Sequence, residues 1–254
     1  MIRYLIKIPF LKRIIPSIYK RYIFNNNFFK EIIVDNIIFD LDLRHLIDRR
    51  FFLHKTYENE LFLPILDVLN KNKIDYFLDI GSCWGIYSLR LSKNYKNLNI
   101  ISFDPIKKNI LRLKESIRKN KIKNIKVLHT ALGSKKGTIS LGATEDYSPN
   151  YKINETNPTI SEVSKINLLD KLINIKNKYI ILKIDTEEFE LEVLKGSHKI
   201  LENNNCYIQI EIAKKNKKKI IKFFNNINYK LISVNNKNKS DYFFSNFISQ
   251  KVNI

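Results

Sequence analysis

At 254 residues and 44% hydrophobic composition, the chain can bury a real core and suits one α/β domain with an N-terminal elaboration better than two independent domains. Its net charge of +20 invites an anionic partner, nucleic acid or membrane, but the excess is lysine scattered among isoleucine and asparagine, the pattern of a solvated surface. Two distant cysteines, Cys83 and Cys206, with no CxxC pair, argue against a disulfide framework or zinc ribbon and for a reducing, cytoplasmic setting.

In chain order, Leu11, Ile14, Ile15, Ile18 and Tyr22 recur at helical spacing among Lys12, Arg13, Lys20 and Arg21. No apolar run there reaches the ~18 residues of a spanning helix, so this basic stripe is expected to lie on something. Two supports are open: its own domain, or the inner face of an anionic membrane as a peripheral contact. Glu31 to Val34 and Ile37 to Leu41, divided by Asp35-Asn36, predict a hairpin, and residues 1–56 form the N-terminal elaboration of a domain spanning 57–254. Thr56 is the expected N-cap of a helix from Tyr57 to about Asn70. Within it, Glu58 either serves the helix dipole or faces substrate.

From Tyr76 onward strands and helices alternate. Strands are predicted at Tyr76 to Ile80, Asn99 to Phe103, Ile125 to Leu128, Tyr179 to Ile184, Tyr207 to Ile212, Lys230 to Val234 and Tyr242 to Phe244. Helices are predicted at Ile86 to Ser92, Lys107 to Asn120, Phe189 to Leu201 and Lys214 to Phe224. Such alternation implies a mainly parallel sheet covered on both faces. The stretch between Val234 and Tyr242 is too short for a crossover helix, so the last strand should return antiparallel. Gly142 to Pro158 reads as a polar loop of the lid or substrate-binding kind, with Tyr147 its candidate acceptor contact.

The chemistry concentrates at strand ends. In Phe77-Leu78-Asp79-Ile80-Gly81-Ser82-Cys83-Trp84-Gly85-Ile86-Tyr87 an apolar strand ends in an acid and two glycines open a helix. There is no Lys-Ser/Thr of a phosphate loop and no third glycine of a dinucleotide fingerprint, so the stretch suits a nucleoside cofactor without pyrophosphate. Asp104, about twenty residues past Gly85, stands where a carboxylate accepts both ribose hydroxyls. Thr130-Ala131 supplies small residues for a purine edge, while His129 beside them reads as packed or exposed and not catalytic. Asp185 leaves a buried strand and Glu187 follows two residues on, so both can converge on one site, though Glu187 could equally cap a helix.

In these residues the chain resembles the FkbM family of S-adenosylmethionine-dependent methyltransferases, from about Tyr57 to Phe247. Four blocks agree in order: Phe77 to Gly81 through Gly85, Ser102 to Pro105, Thr130 to Gly133 with Gly137, and Lys183-Ile184-Asp185-Thr186-Glu187 with Phe189-Glu190 and Leu194-Lys195-Gly196. The resemblance implies a Rossmann-like class I methyltransferase fold, an α/β seven-stranded sheet with a reversed last strand. It also implies S-adenosylmethionine at Asp79, Gly81, Ser82, Cys83, Gly85, Asp104, Thr130 and Ala131, and O-methylation of a sugar, lipid or other natural product. Two positions depart from the family pattern. Ser82-Cys83 replaces the common Ala-Asn, and Glu188 replaces the common glycine after the motif glutamate.

Methyl transfer to a hydroxyl is an in-line displacement that needs a positioned acceptor and a proton sink. Asp185 is the expected base or orienter and Glu187 its second; without a histidine cluster nothing supports a metal there. A nucleic-acid methyltransferase rests on charge alone, since an Asn-Pro-Pro-Tyr signature and a basic-aromatic motif are missing from the sequence. The intact acids argue against a catalytically dead scaffold.

Overall fold

The computed structural model describes residues 28–143, 151–153, 158–235 and 240–248. The basic N-terminal stripe and Tyr147 lie outside the described residues. Strands β1 (Phe29–Val34) and β2 (Ile37–Asp42) pair antiparallel, Val34 opposite Ile37. Asp35 and Asn36 close the turn at φ 52° and 60°, the left-handed geometry that a two-residue hairpin connection needs and that these two side chains tolerate. Strand alternation turns Ile32, Val34, Ile37, Phe39 and Leu41 inward, onto Phe51 of α1 (Leu46–His54) and onto Trp84 and Leu113. The hairpin therefore shares a core with the helices that follow.

Helix α2 (Asn59–Lys71) starts two residues later than the sequence predicts. Thr56 does not cap it. Glu58 occupies the N-cap position at φ 48°, and its carboxylate is engaged elsewhere. Next come β3 (Tyr76–Ile80), α3 (Ile86–Asn94), β4 (Asn99–Asp104), α4 (Lys107–Lys119) and β5 (Ile125–His129). Then the chain departs from expectation: β6 (Ala131–Leu132), β7 (Gly137–Ala143), β8 (Lys152–Ile153) and β9 (Ile160–Asn167) form a second sheet of order β6-β9-β7-β8. Of the predicted polar loop, Gly142 and Ala143 end β7, whose Gly137 to Ala143 pairs antiparallel with Ile160 to Ile166, and Lys152–Ile153 is β8; residues 144–150 and 154–157 lie outside the described residues.

After α5 (Leu169–Leu172) come β10 (Tyr179–Ile184), α6 (Glu190–Lys195), α7 (His198–Glu202), β11 (Asn205–Glu211), α8 (Lys217–Asn226), β12 (Lys230–Val234) and β13 (Asp241–Ser245). The single helix predicted from Phe189 to Leu201 is two, broken at Gly196-Ser197. Gly196 lies so close to Gly133 that a Cβ on it would meet the Gly133 carbonyl oxygen at 2.0 Å. The main sheet has order β12-β13-β11-β10-β3-β4-β5, and β13 alone runs against its neighbours. This is the class I methyltransferase fold with the reversed last strand expected from the sequence.

The sheet buries both faces. Leu78, Ile80, Leu182 and Ile184 point to one core with Val193 and Leu194, while Phe77, Ile181, Tyr207 and Phe243 point to the other with Leu61, Ile65 and Tyr87. On that second face the register aligns Ser102, Asp79, Lys183 and Gln209 in one row across β4, β3, β10 and β11. All four are at most 5% exposed. A buried polar row at the C-terminal edge of a parallel sheet marks where a ligand belongs. Among the described residues no helix is long and apolar enough to cross a membrane.

Candidate active site

A cavity of about 350 Å³ opens at that edge, within the size range of small-molecule sites. Its wall includes Glu58, Asp79, Gly81, Ser82, Cys83, Asp104, Thr130, Ala131, Asp185 and Glu187, residues spread over more than half the sequence. Gly85 is not on the wall. It enters α3 at φ 82° and packs on Leu113, whose Cδ1 a Cβ would meet at 2.4 Å.

The strand-end glycine governs the floor. Gly81 adopts φ 78°, and a Cβ there would stand 1.7 Å from the Asp185 carbonyl oxygen, so only glycine lets the two strand ends meet. The Gly81 and Ser82 amides both donate to the Phe103 carbonyl at 3.0 Å. Asp79 is 1% exposed; its Oδ2 accepts the Ser88 hydroxyl at 2.6 Å, and that hydroxyl also meets Ser102 Oγ at 2.8 Å. Burial raises the Asp79 pKa, opposed by the Lys183 charge. Two buried polar atoms here have no hydrogen-bond partner, Asp79 Oδ1 and Ser82 Oγ.

Asp104 closes the next wall. Its Oδ1 accepts from the Ile106 amide at 2.9 Å and Asn109 Nδ2 at 3.1 Å, and its Oδ2 from the Cys83 amide at 2.8 Å. A carboxylate oxygen offers two lone pairs, so Oδ2 keeps capacity for a further donor. Burial outweighs these donors and pushes the Asp104 pKa up to about 7. Thr130 behaves otherwise. Its hydroxyl donates to the carbonyls of Ala131 and Lys165 and accepts from Asn167 Nδ2, so it ties the two sheets together and offers the cavity its backbone and methyl surface. His129 is exposed, with Nε2 2.8 Å from the Pro105 carbonyl.

Opposite lies the acidic side. Asp185 Oδ2 accepts from Lys183 Nζ at 2.9 Å. Lys183 is 5% exposed and sits 5.0 Å from the centre of the Tyr87 ring. Burial depresses the Lys183 pKa, but the charges of Asp185, Asp79 and Glu58 outweigh it and the net shift is upward. Glu58 Oε2 accepts from the Tyr87 hydroxyl at 3.1 Å, with Tyr57 also bonded to this carboxylate; burial raises its pKa. Glu58 thus lines the cavity and also stands at the N-cap position of α2.

Glu187 does not begin a helix. It lines the cavity at φ 51°, followed by Glu188 at φ 78°, and α6 starts only at Glu190. Glu190, not Glu187, gathers the loop: its Oε1 accepts from the amides of Thr186 and Glu188 and from the Thr186 hydroxyl, each at 3.0 to 3.1 Å. This fixes the loop that carries Asp185 and Glu187. Cys83 sits at φ 50°. Both departures from the family pattern therefore fall on left-handed backbone, which asparagine and glycine adopt more easily than cysteine and glutamate.

Lys183, Tyr57, Tyr87 and Glu211 line the cavity as well, without having been singled out from the sequence. A lysine inside Tyr179-Ile180-Ile181-Leu182-Lys183-Ile184 was a legible signal, because a charge in a buried strand requires opposite charges beside it.

A family model described as the methyltransferase FkbM domain matches residues 79–231, more than half of the chain. No curated protein matches by sequence. Among solved structures the chain is similar to TYW2 of M. jannaschii in complex with AdoMet, at 11% identity and a TM-score of 0.45, covering 87% of this chain and 85% of that one. It is also similar to the Pyrococcus abyssi tRNA (uracil-54, C5)-methyltransferase in complex with S-adenosyl-L-homocysteine, at 10% identity and a TM-score of 0.47, covering 86% and 44%. A third is the ribosomal protein L11 methylase of Lactobacillus delbrueckii subsp. bulgaricus, at 14% identity and a TM-score of 0.44, covering 75% and 77%. At such identities and scores nothing about an acceptor carries over.

Proposed function

The chain belongs to the FkbM methyltransferase family, and from that premise we propose that it methylates a hydroxyl oxygen of a small molecule, glycan or lipid. The methyl donor is S-adenosylmethionine, and the residues present fit it. Asp104 Oδ2 has capacity left for a ribose hydroxyl, and Ala131 offers a small wall for the purine. The unpartnered Asp79 Oδ1 suits an ammonium, and the unpartnered Ser82 hydroxyl can serve a carboxylate. When bound, S-adenosylmethionine supplies an electrophilic methyl on a positively charged sulfur. The protein's task is then to hold an acceptor oxygen in line and take its proton.

We assign that second task to Asp185. It stands at the end of β10 on the cavity wall, anchored through Oδ2 by Lys183, and its side chain is 34% exposed to the cavity mouth. Glu187 lines the same space and can orient the acceptor. The observation that favours a small molecule or glycan over nucleic acid is the sign of this mouth. Glu58, Asp185, Glu187 and Glu211 surround it, and carboxylates repel a phosphodiester backbone. Among the described residues Lys183 is the one basic residue on this cavity wall, so the +20 net charge of the sequence is not expressed there.

The test is transfer from isotopically labelled S-adenosylmethionine into cell extract fractionated into small molecules, glycans, lipids and nucleic acids. Label in an ether-linked methyl of the first three classes supports the reading. Label confined to RNA overturns it.

A further inference from the structure

Trp84, the chain's one tryptophan, stands inside the Gly81 to Gly85 loop. Cys83 before it lines the cavity, whereas Trp84 is 4% exposed and packs away from it, its ring 5.9 Å from that of Phe39 on β2 and 6.1 Å from that of Phe51 on α1. The Arg112 guanidinium of α4 lies over the indole, 4.0 Å from its centre. Arg112 in turn donates to both carboxylate oxygens of Asp48 on α1, at 2.6 and 3.2 Å, and to the Asp40 carbonyl on β2 at 2.7 Å. Asp48 is fully buried, and its Oδ2 also accepts from the Asp42 amide at 2.7 Å. One guanidinium thus joins β2, α1 and α4 over the tryptophan of the loop. The hairpin and α1 precede residues 79–231, and the family match gives them no role in the site.

The loop needs holding. Gly81, Cys83 and Gly85 take φ 78°, 50° and 82°, and for cysteine that left-handed backbone is costly, so the surroundings must fix it. The Cys83 amide donates to Asp104 Oδ2, so the seat of the Trp84 ring sets the direction of the adjoining amide. Helix α4 acts here twice: Asn109 Nδ2 donates to Asp104 Oδ1, and Arg112, one turn further on, holds Trp84. A pocket of about 40 Å³, lined by Asp48, Cys83, Trp84 and Arg112 among others, shares Cys83, Ile106 and Asn109 with the main cavity. The clamp therefore lies directly behind the cavity wall, and Ile47 of α1 reaches the wall itself.

Resting on the placement of the cofactor ribose at Asp104, we infer that the hairpin and α1 are part of the cofactor site, and that Arg112, fixed by Asp48, is a positioning residue that holds Cys83-Trp84 in the ligand-binding conformation. Arginine suits the task because its planar guanidinium stacks on an indole while its N–H groups bond a carboxylate at two points; a lysine ammonium has no plane to stack. If Arg112 only compensated the buried Asp48 charge, its replacement would lower stability alone. As a positioning residue it governs cofactor affinity too.

The experiment uses the full chain with S-adenosylhomocysteine at pH 8, well below each variant's Tm, with affinity from calorimetry and Trp84 emission as the local readout. Arg112→Lys should bind about fivefold or more weakly. Its ligand-free emission should lie at longer wavelength than that of the unmodified protein, and saturation with S-adenosylhomocysteine should return it, since a ligand that needs one loop conformation favours that conformation. Asp48→Asn should show the same two changes, and carries the test if Arg112→Lys fails to fold. Phe224→Leu is the control for stability: Phe224 stacks on Phe244 in a core separate from that of Trp84, so this change should lower Tm and leave affinity unchanged. Unchanged affinity in Arg112→Lys and Asp48→Asn, or an equal loss in Phe224→Leu, would overturn the inference while Asp104→Asn still weakens binding. Unchanged affinity in Asp104→Asn would instead overturn the ribose placement, and the inference with it.

Discussion

Gly81 and Asp185 meet backbone to backbone: a Cβ on Gly81 would lie 1.7 Å from the Asp185 carbonyl oxygen, and the Asp185 amide donates to the neighbouring Ile80 carbonyl at 3.0 Å. One contact thereby joins the proposed cofactor floor to the proposed catalytic strand. Gly81→Ala adds both this clash and the strain of φ 78°. Relief by backbone movement would separate β3 from β10 at the cavity. We expect a loss of about 2 to 4 kcal/mol in urea unfolding and loss of S-adenosylhomocysteine binding by calorimetry.

Asp104 gives cofactor affinity a pH dependence. Its pKa rises from an ordinary 3.8 to about 7 through burial, so the fold favours the protonated form. In the ligand-free protein its contribution to stability is complete below pH 3.8 and is lost as pH rises through about 7. Ribose hydroxyls donate, and so favour the carboxylate. S-adenosylhomocysteine affinity should therefore climb as the medium passes upward through about pH 7. Asp104→Asn should flatten that climb and cost about 1.5 to 3 kcal/mol at pH 8, since it removes charge-assisted hydrogen bonds. A climb that persists in Asp104→Asn would assign the titration to another group.

Where the sequence was read well, local pattern and tertiary demand coincided. Tyr76 to Ile80 and Tyr179 to Ile184 form strands with the expected bounds, since their apolar runs are buried against a helix layer, and Lys230 to Val234 does so with Ile232 as its buried residue. The second sheet was missed because β7 and β9 are half exposed and carry Thr138, Ser140, Ser161, Glu162 and Lys165 between their apolar residues. β7 alternates with period two, while β9 sets Ile160, Val163 and Ile166 three residues apart and leaves Val163 exposed, so neither offers the continuous apolar run of a buried strand. Of the site, the acids at strand ends were legible one by one, whereas Glu211 and Gln209 join it only through the pairing of β10 with β11.

Glu188 shows how a departure from the family pattern becomes physical. The position needs φ 78°, the common glycine there is free to adopt it, and glutamate is strained by about 1 to 2 kcal/mol. Its ion pair with Lys215 offsets part of this, but both side chains are largely exposed, and such pairs contribute at most about 1 kcal/mol. Glu188→Gly should therefore stabilise the protein slightly, raising Tm by about 2 to 4 °C per kcal/mol gained. A lowered Tm in differential scanning calorimetry would show that the Lys215 pair outweighs the strain.

Lys183 holds the acids together. Buried among Asp79, Asp185 and Glu58, it is, among the described residues, the basic one on the cavity wall, and its removal leaves three carboxylates close together without that counter-charge. Lys183→Met preserves volume, so packing is not the variable. The expected loss in urea unfolding is about 3 to 5 kcal/mol at neutral pH, and it should shrink on acidification, as protonation of those carboxylates removes the repulsion. A small or pH-independent loss would indicate that the carboxylates are already neutral in the native protein.

Asp185 carries the proposed proton transfer. Its Oδ2 is tied to Lys183, so the base must act through the remaining lone pairs of a carboxylate already fixed in direction. Asp185→Asn keeps the shape and can still meet Lys183 through its carbonyl, while Asp79 and Glu58 continue to balance the lysine. Fold and S-adenosylhomocysteine affinity should therefore persist, and kcat on the identified acceptor should fall by about 10²-fold or more. Glu187→Gln should cost less, because the role proposed for Glu187 is to orient the acceptor and not to take its proton. If Asp185→Asn turned over at a near-normal rate, Asp185 would be relieved of the base role. If it lost cofactor affinity instead, the carboxylate would belong to the floor it shares with Gly81, and the proton would have to leave through Glu187 or to water at the mouth.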